Sequence, residues 1–387
     1  MKKIKISLLI IISFILLSSC QFKTDTSIEK NNQYDGMSDY YESDMQVDYD
    51  VVKAKVIEVE SDDTDEIRNI PIESDRRFQY LKIKLLDGTH KGEIYTVRNT
   101  IEMVNPYRLV FNLGEKMYIY VFETDDGKVG DIHIYEKVRD IAIIWLIIAF
   151  LAFLIVIGKS KGLKTILTLA ITIGIIIFIL LPLILKGYNP VILTILLVAL
   201  ISSITISIIS GRNIKSLTAI LGTISGVLIS ILCAYSMVKF AHLTGLGDEQ
   251  ATLLARIPQF RNLDYSGILL SGIIIGALGA VMDVALSIAS SIREIKDNSP
   301  NISSKKLYDS GMNIGRDMMG SMSNTLILAY VGSSIQLLLL FMSYNISFTE
   351  IFNMDMIASE IVMAIAGSIG LISSIPITTF IACKLMK

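Results

Sequence analysis

The spacing of hydrophobic positions changes three times along this chain, and each change marks a different kind of element. Ile6 to Leu17 is an apolar run of 12 residues interrupted only by Ser7 and Ser13, too short at ~1.5 Å per residue to cross ~30 Å of hydrocarbon. Residues 21 to 49 carry no periodic apolar pattern and cannot bury enough surface to order themselves, so they read as a tether. From Val51 apolar and polar positions alternate in short runs, as in strands with one buried face. The expected strands are Val51 to Val59, Tyr80 to Leu85, Gly92 to Arg98, Lys116 to Phe122 and Val129 to Tyr135. Asp87-Gly88 and Asp126-Gly127 interrupt them as turns, because glycine adopts the positive φ that tight turns need. Five strands over about 90 residues suit a small barrel of the OB kind, since closure removes exposed edges; a β-sandwich is the other arrangement.

Beyond residue 140 the alternation gives way to runs long enough to cross a bilayer, near 141–157, 165–185, 191–210, 217–238, 266–290, 320–342 and 360–382. The predicted fold class is therefore an α-helical polytopic membrane bundle of about seven transmembrane helices with an N-terminal extracytoplasmic OB-like β-barrel. The expected boundaries are 1–20 for an export signal, 21–49 for the tether, 50–138 for the β-rich domain and 139–387 for the transmembrane domain. Pro182 and Pro376 are expected to kink their helices.

Charge adds orientation. With 52% hydrophobic and 19% charged residues, the chain is too apolar for a soluble globule, and its surplus must meet the lipid bilayer. The net charge of −2 hides a segregation: residues 21 to 140 hold 16 Lys/Arg against 26 Asp/Glu, and residues 141 to 387 hold 16 against 11. An acidic head on a basic membrane body excludes the concentrated basic face of a nucleic-acid binder. In the connections between spans, one alternate set holds 12 Lys/Arg, including Lys159, Arg212, Arg293 and Lys384, and the other holds Lys186, Lys239, Arg256 and Arg261. The positive-inside rule places the first set and the C-terminus in the cytoplasm. An exported head followed by seven crossings ends on that same side. The cysteines are Cys20, Cys233 and Cys383, the last two inside apolar runs. Lys2, Lys3 and Lys5, the 12-residue run and Leu17-Ser18-Ser19-Cys20 make up an export signal whose end resembles a bacterial lipobox, implying lipidation at Cys20.

Two spans carry candidate chemistry. Gly272, Gly276, Gly279, Asp283, Ser287 and Ser290 share one helical face of small or polar residues, suited to close helix approach in lipid. Asp283 lies well short of Arg293 in an apolar run. A carboxylate there is costly and by default functional: it pairs with a cation, binds one or stays protonated, while a salt bridge that fixes helix register is the structural alternative. In the next span Asn313, Asp317, Gly320 and Asn324 form a second polar face flanked by Arg316, and Gly311 and Gly315 mark another close approach. Ser303 or Ser304 is expected to cap that helix. If the two faces meet, Asp283, Asn313, Arg316, Asp317 and Asn324 converge as a site for protons, a small ion or a polar solute; ordinary flanking charges are the alternative for Arg316 and Asp317. Gly222, Gly226, Ala364, Gly367 and Ser374 read as packing surfaces, and Glu360 as an interfacial charge. Asp248-Glu249 ahead of Ala251 to Ile257 signals a short helix lying as a surface lid.

No phosphate-binding loop, dinucleotide fingerprint or zinc pair is present, and His90, His133 and His242 lack ligand-spaced neighbours. The expectation is a non-enzyme without cofactor; a metal and a homo-oligomer are left open. The stretches Gly276 to Ser291 and Ser310 to Tyr330 resemble the YibE/F-like family of bacterial integral membrane proteins, a resemblance that covers the chain from about Val51 onward. The lipobox-like start departs from the family's usual single N-terminal anchor. The resemblance implies a cytoplasmic-membrane transporter or permease of unassigned substrate and carries over no catalytic residue. The leading expectation is a secondary transporter or permease for an ion or small polar solute. The rival is a membrane-anchored sensor or scaffold whose β domain binds an envelope partner.

Overall fold

The structure is a computed structural model that describes residues 49–62, 76–102, 108–124 and 127–386. The export signal, Cys20 and nearly all of the tether lie outside the described residues, as does Asp126. The chain divides after Leu151 into two compact units.

In the first unit all five expected strands form: β1 (Tyr49–Asp62), β2 (Arg76–Leu85), β3 (Ile94–Glu102), β4 (Lys116–Glu123) and β5 (Val129–Lys137). They pair antiparallel in the order β3-β2-β1-β4-β5, and the outer strands β3 and β5 come together, so the sheet curls into a nearly closed barrel. The sandwich alternative is thereby excluded. β1 serves two neighbours by pairing with β4 along Tyr49 to Lys55 and with β2 from Ala54 onward, and register shifts at Val56/Glu58 and Val59/Ser61 bend it between them. Every second residue points inward: Val52, Ala54 and Val56, then Leu81, Ile83 and Leu85, then Met117, Ile119 and Val121. Phe111, from the segment between β3 and β4, plugs this core.

Two polar side chains hold that plug. Gln79 and Asn99 face each other across β2 and β3, and both are buried. Gln79 Nε2 donates to the Phe111 carbonyl at 2.7 Å, and its Oε1 accepts from the Phe111 N–H at 3.1 Å. Asn99 Nδ2 donates to the Leu109 carbonyl at 2.6 Å. A strandless segment crossing the barrel thus finds partners for backbone groups that burial would otherwise orphan. Where the barrel ends, Asp140 opens the first helix and bridges to Lys53.

The helices are α1 (Asp140–Ile175), continued through a π turn (Ile176–Leu180) into α2 (Leu181–Leu185), then α3 (Pro190–Ser210), α4 (Ile214–Phe240), α5 (Glu249–Arg256), α6 (Tyr265–Asn298), α7 (Ser304–Ser333), α8 (Ile335–Ser343), α9 (Phe348–Asn353) and α10 (Asp355–Leu385). Among the described residues five helical runs are long and apolar enough to cross a membrane, and α7 with α8 makes a sixth if the bent pair counts as one. The expected count of seven differs at the start, where the first two spans fall on the single 46-residue run Asp140–Leu185. At ~1.5 Å per residue that run far exceeds one hydrocarbon thickness. Lys159, at φ 49 and ψ −126, breaks it between the two expected spans. Beside the break, Gly162 is pressed onto the chain so closely that a Cβ would stand 1.8 Å from the Leu154 carbonyl oxygen. The π turn precedes Pro182, which has no N–H to offer the regular ladder.

α4, α6 and α10 form the centre of the second unit. A Cβ on Gly226 would lie 2.7 Å from both Ser374 Cβ and Val281 Cγ1 and 2.9 Å from the Gly370 carbonyl oxygen; one on Gly370 would lie 2.6 Å from Ser230 Cβ. α7 lies against α10 in the same way, with Gly311 on Thr379 and Gly315 on Ile375. In lipid there is no hydrophobic drive to press helices together, so backbone proximity supplies dispersion contacts instead. Ser303 caps α7 as expected, accepting from the Lys306 N–H at 3.4 Å.

Candidate functional site: an open polar face and a carboxylate cavity

Asp283 sits near the middle of α6, nine residues past the Cβ-filled core position Ile274 and ten before Arg293. Its side chain is exposed on the bundle surface, as are Gly272, Gly276 and Gly279 one to three turns away. A Cβ added to Gly272, Gly279 or Gly320 would meet no atom within 4 Å. Within the described residues nothing packs on these three. The reason is that α6 turns its larger residues, Ile273, Ile274, Ala277 and Val281, to the core and leaves its glycine stripe outside. Gly276 alone is covered, by the Tyr330 hydroxyl, which would stand 2.4 Å from its Cβ.

The predicted convergence is partial. Gly311 against Ile292 and Gly276 against Tyr330 fix the antiparallel register of α6 and α7, which brings residue 283 level with residues 320 to 323. At that level Gly320 has no side chain, and an added Cβ there would meet no atom within 4 Å. Asn313, Arg316, Asp317 and Asn324 are all exposed, and Arg316 donates to Asn313 Oδ1 of its own helix at 2.9 Å. Among the described residues no hydrogen bond or ion pair joins Asp283 to any of these four. The register-locking salt bridge is thereby excluded within the described residues. What remains is an open strip with a carboxylate in an apolar helix and Tyr330 over one end.

A second polar site lies elsewhere in the same unit. Between Ser333 and Ile335 the helix bends by 55°, with Ser334 at φ −96 and ψ 5. This break lines a cavity of about 250 Å³, together with Gly247, Asp248, Ser359 and Glu360. Glu360 is not a plain interfacial charge: it lies within the field of Asp248, and its Oε2 is buried without a hydrogen-bond partner. Asp248, the expected start signal of the lid, does precede a short helix, α5, but makes no side-chain cap bond with it. Sequence reasoning missed this site because its members are far apart along the chain. One local signal was present, the run Gly332-Ser333-Ser334 inside an apolar span, since Gly/Ser pairs are recurrent places for helix breaks. No group of three or more His, Cys, Asp or Glu able to hold a metal occurs among the described residues.

A curled five-stranded head followed by a bundle of apolar helices defines a polytopic membrane protein. The comparisons with known families make this specific. Residues 146–387 match the YibE/F-like protein family and residues 48–136 match the YibE/F family N-terminal domain. The chain belongs to the YibE/F-like family. No curated protein and no solved structure matches it.

Proposed function

We propose that this protein is a secondary transporter or permease for an ion or small polar solute, set in the bacterial cytoplasmic membrane with its barrel outside and its C-terminus in the cytoplasm. The observation that carries the proposal is Asp283: an exposed carboxylate in the apolar middle of α6, with no cation beside it among the described residues. Hydrocarbon cannot solvate such a group, and spans tolerate one where it faces a water-filled path. The neighbouring glycines, with nothing above them, leave room for that path, and the polar face of α7 offers amide and charged groups along it. A broken helix at membrane depth supports the same reading, because irregular backbone is tolerated there where it lines a cavity.

The test is flux in proteoliposomes. Asp283→Asn removes the charge and keeps the shape, and is expected to abolish flux while the protein remains folded and reconstituted. Unchanged flux refutes the role of Asp283. Deleting residues 44–138 separates this reading from that of a binding module: a transporter keeps basal flux without its head, whereas a protein whose work is done by the barrel loses its partner.

A further inference from the structure

We propose that the cavity at the α7–α8 break binds a hard inorganic cation, liganded by Glu360 and Asp248 with the hydroxyl oxygens of Ser359, Ser333 and Ser334. This site is separate from Asp283 and goes beyond the reading above. Four independent observations point to it.

The first is an unmet polar side chain. Ser359 is only 9% exposed, lines the cavity, and its Oγ has no hydrogen-bond partner. Buried hydroxyls nearly always find partners, so one left open toward a cavity marks the place of a ligand. The buried, unpartnered Oε2 of Glu360, the next residue, marks the same place.

The second is the sign of the charge. Asp248 and Glu360 share the cavity, and no Lys, Arg or His lines it. The C-terminal end of the 30-residue helix α7 arrives there too, at Ser333 and Ser334. The N-termini of α8, at Ile335, and of α10, at Asp355, lie at the same place and their dipoles oppose that of α7, so the sign of the lining rests on the two carboxylates. Ser333 Oγ already donates to the Tyr330 carbonyl at 2.7 Å, which commits its proton and leaves its lone pairs for a ligand.

The third is donor type. Every side-chain donor in the lining is oxygen apart from the thioethers of Met356 and Met363, and hard cations select oxygen. At about 250 Å³ the cavity has room for an ion with several of its waters, each occupying roughly 30 Å³ in the liquid.

The fourth is a rigid roof. Thr244 bonds to the Asp355 carboxylate through both its N–H, at 3.3 Å, and its hydroxyl. Gly245, at φ +75, is pressed to within 2.3 Å, measured from an added Cβ, of the Tyr265 carbonyl oxygen, and Gly247 to within 2.6 Å of the Met356 nitrogen. Thr252 Oγ1 then donates to the Leu246 carbonyl at 3.0 Å, tying α5 to the same loop. Asp248 therefore enters the cavity from a segment fixed on both sides, the pre-organisation a ligand site requires.

The experiment is thermal unfolding of the full chain in detergent, in chlorides of sodium, potassium, magnesium or calcium, against choline chloride at equal ionic strength. At least one of the four cations is expected to raise the midpoint saturably, by about 5 °C or more at a hundredfold excess over its Kd. Glu360→Gln is expected to remove the response, and Ser359→Ala to weaken the apparent affinity about tenfold or more. Should Glu360→Gln fail to fold, Ser359→Ala decides alone. The proposal is overturned if none of the four cations stabilises beyond choline, or if the variants respond as the wild type does. Because binding is read without flux, a failure here leaves the reading of Asp283 standing, and the reverse also holds.

Discussion

Gly226→Ala and Gly279→Ala make the same chemical change in helices of one bundle and are expected to act with opposite sign. At Gly226 the new methyl would meet two side-chain carbons at 2.7 Å and the Gly370 carbonyl oxygen at 2.9 Å. Carbon contacts are optimal at about 3.5–4.0 Å, so α4 and α10 must part by about 1 Å or α6 must yield at Val281. Overpacking of this kind costs roughly 1–3 kcal/mol, and the better helix propensity of alanine returns up to about 1 kcal/mol. The net expectation is a loss of about 1–2 kcal/mol, or several degrees in the unfolding midpoint of a unit this size. At Gly279 an added Cβ meets nothing within 4 Å, so only the propensity gain remains and the midpoint should hold or rise by a few degrees. The assay is thermal or detergent-titrated unfolding of the purified full chain, with Gly272→Ala as a second open position and Gly370→Ala as a second closed one. Equal behaviour of the two pairs refutes the assignment of α4, α6 and α10 as the close-packed centre.

Four further outcomes are expected. Gln79→Leu orphans both backbone groups of Phe111 at roughly 1–3 kcal/mol each, so hydrogen exchange at the Phe111 amide should accelerate sharply while β1 stays protected. Burial raises the Glu115 pKa, but the Asn112 N–H and the Lys137 ammonium outweigh it and hold the carboxyl below the ordinary 4.5. A depressed carboxylate stabilises above its unfolded-state pKa, so the midpoint advantage of wild type over Glu115→Gln should be present at pH 6 and shrink as pH falls below about 4.5. Gly162→Ala drives a methyl to 1.8 Å from the Leu154 backbone oxygen, beyond the ~3 kcal/mol range of ordinary overpacking, and should abolish monodisperse protein on size exclusion. With all three native cysteines replaced by serine, Gly279→Cys should react with a charged, membrane-impermeant thiol reagent, whereas Leu232→Cys, on the apolar outer face of α4, should not.

How much of this was legible in the sequence depended on the range of the signal. The five strands were readable because burial of one face imposes an alternation within each strand; Val52, Ala54 and Val56 show it directly. The glycines that pack were harder to separate from those that do not. Gly276 and Gly279 lie on one stripe of one helix, yet only the first has a side chain above it, the Tyr330 hydroxyl of α7. The Gln79–Asn99 clamp was hidden because polar residues at inward positions look like breaks in the pattern until the segment they hold is known. The split of Asp140–Leu185 shows the opposite case. The polar insert around Lys159 was visible in the sequence as a gap between two spans, and the backbone breaks there without losing helical continuity on either side.

Asp283 and Glu360 place different physical demands on the fold. Glu360 already lines a cavity, with Asp248 as its charged companion and no basic side chain, so what it lacks is a counter-charge. Asp283 lies on a surface of glycines that would admit another helix as readily as water. A helix from a second copy would satisfy the glycines but bring a matching carboxylate toward this one unless a cation came with it, and Arg316 is already bonded to Asn313. Water satisfies both demands at once, since it solvates the acid and fills space above residues too small to fill it. A face that is small and charged together, in a helix whose other side is largely apolar, is for that reason better explained by a path for a hydrated solute than by a seam between helices.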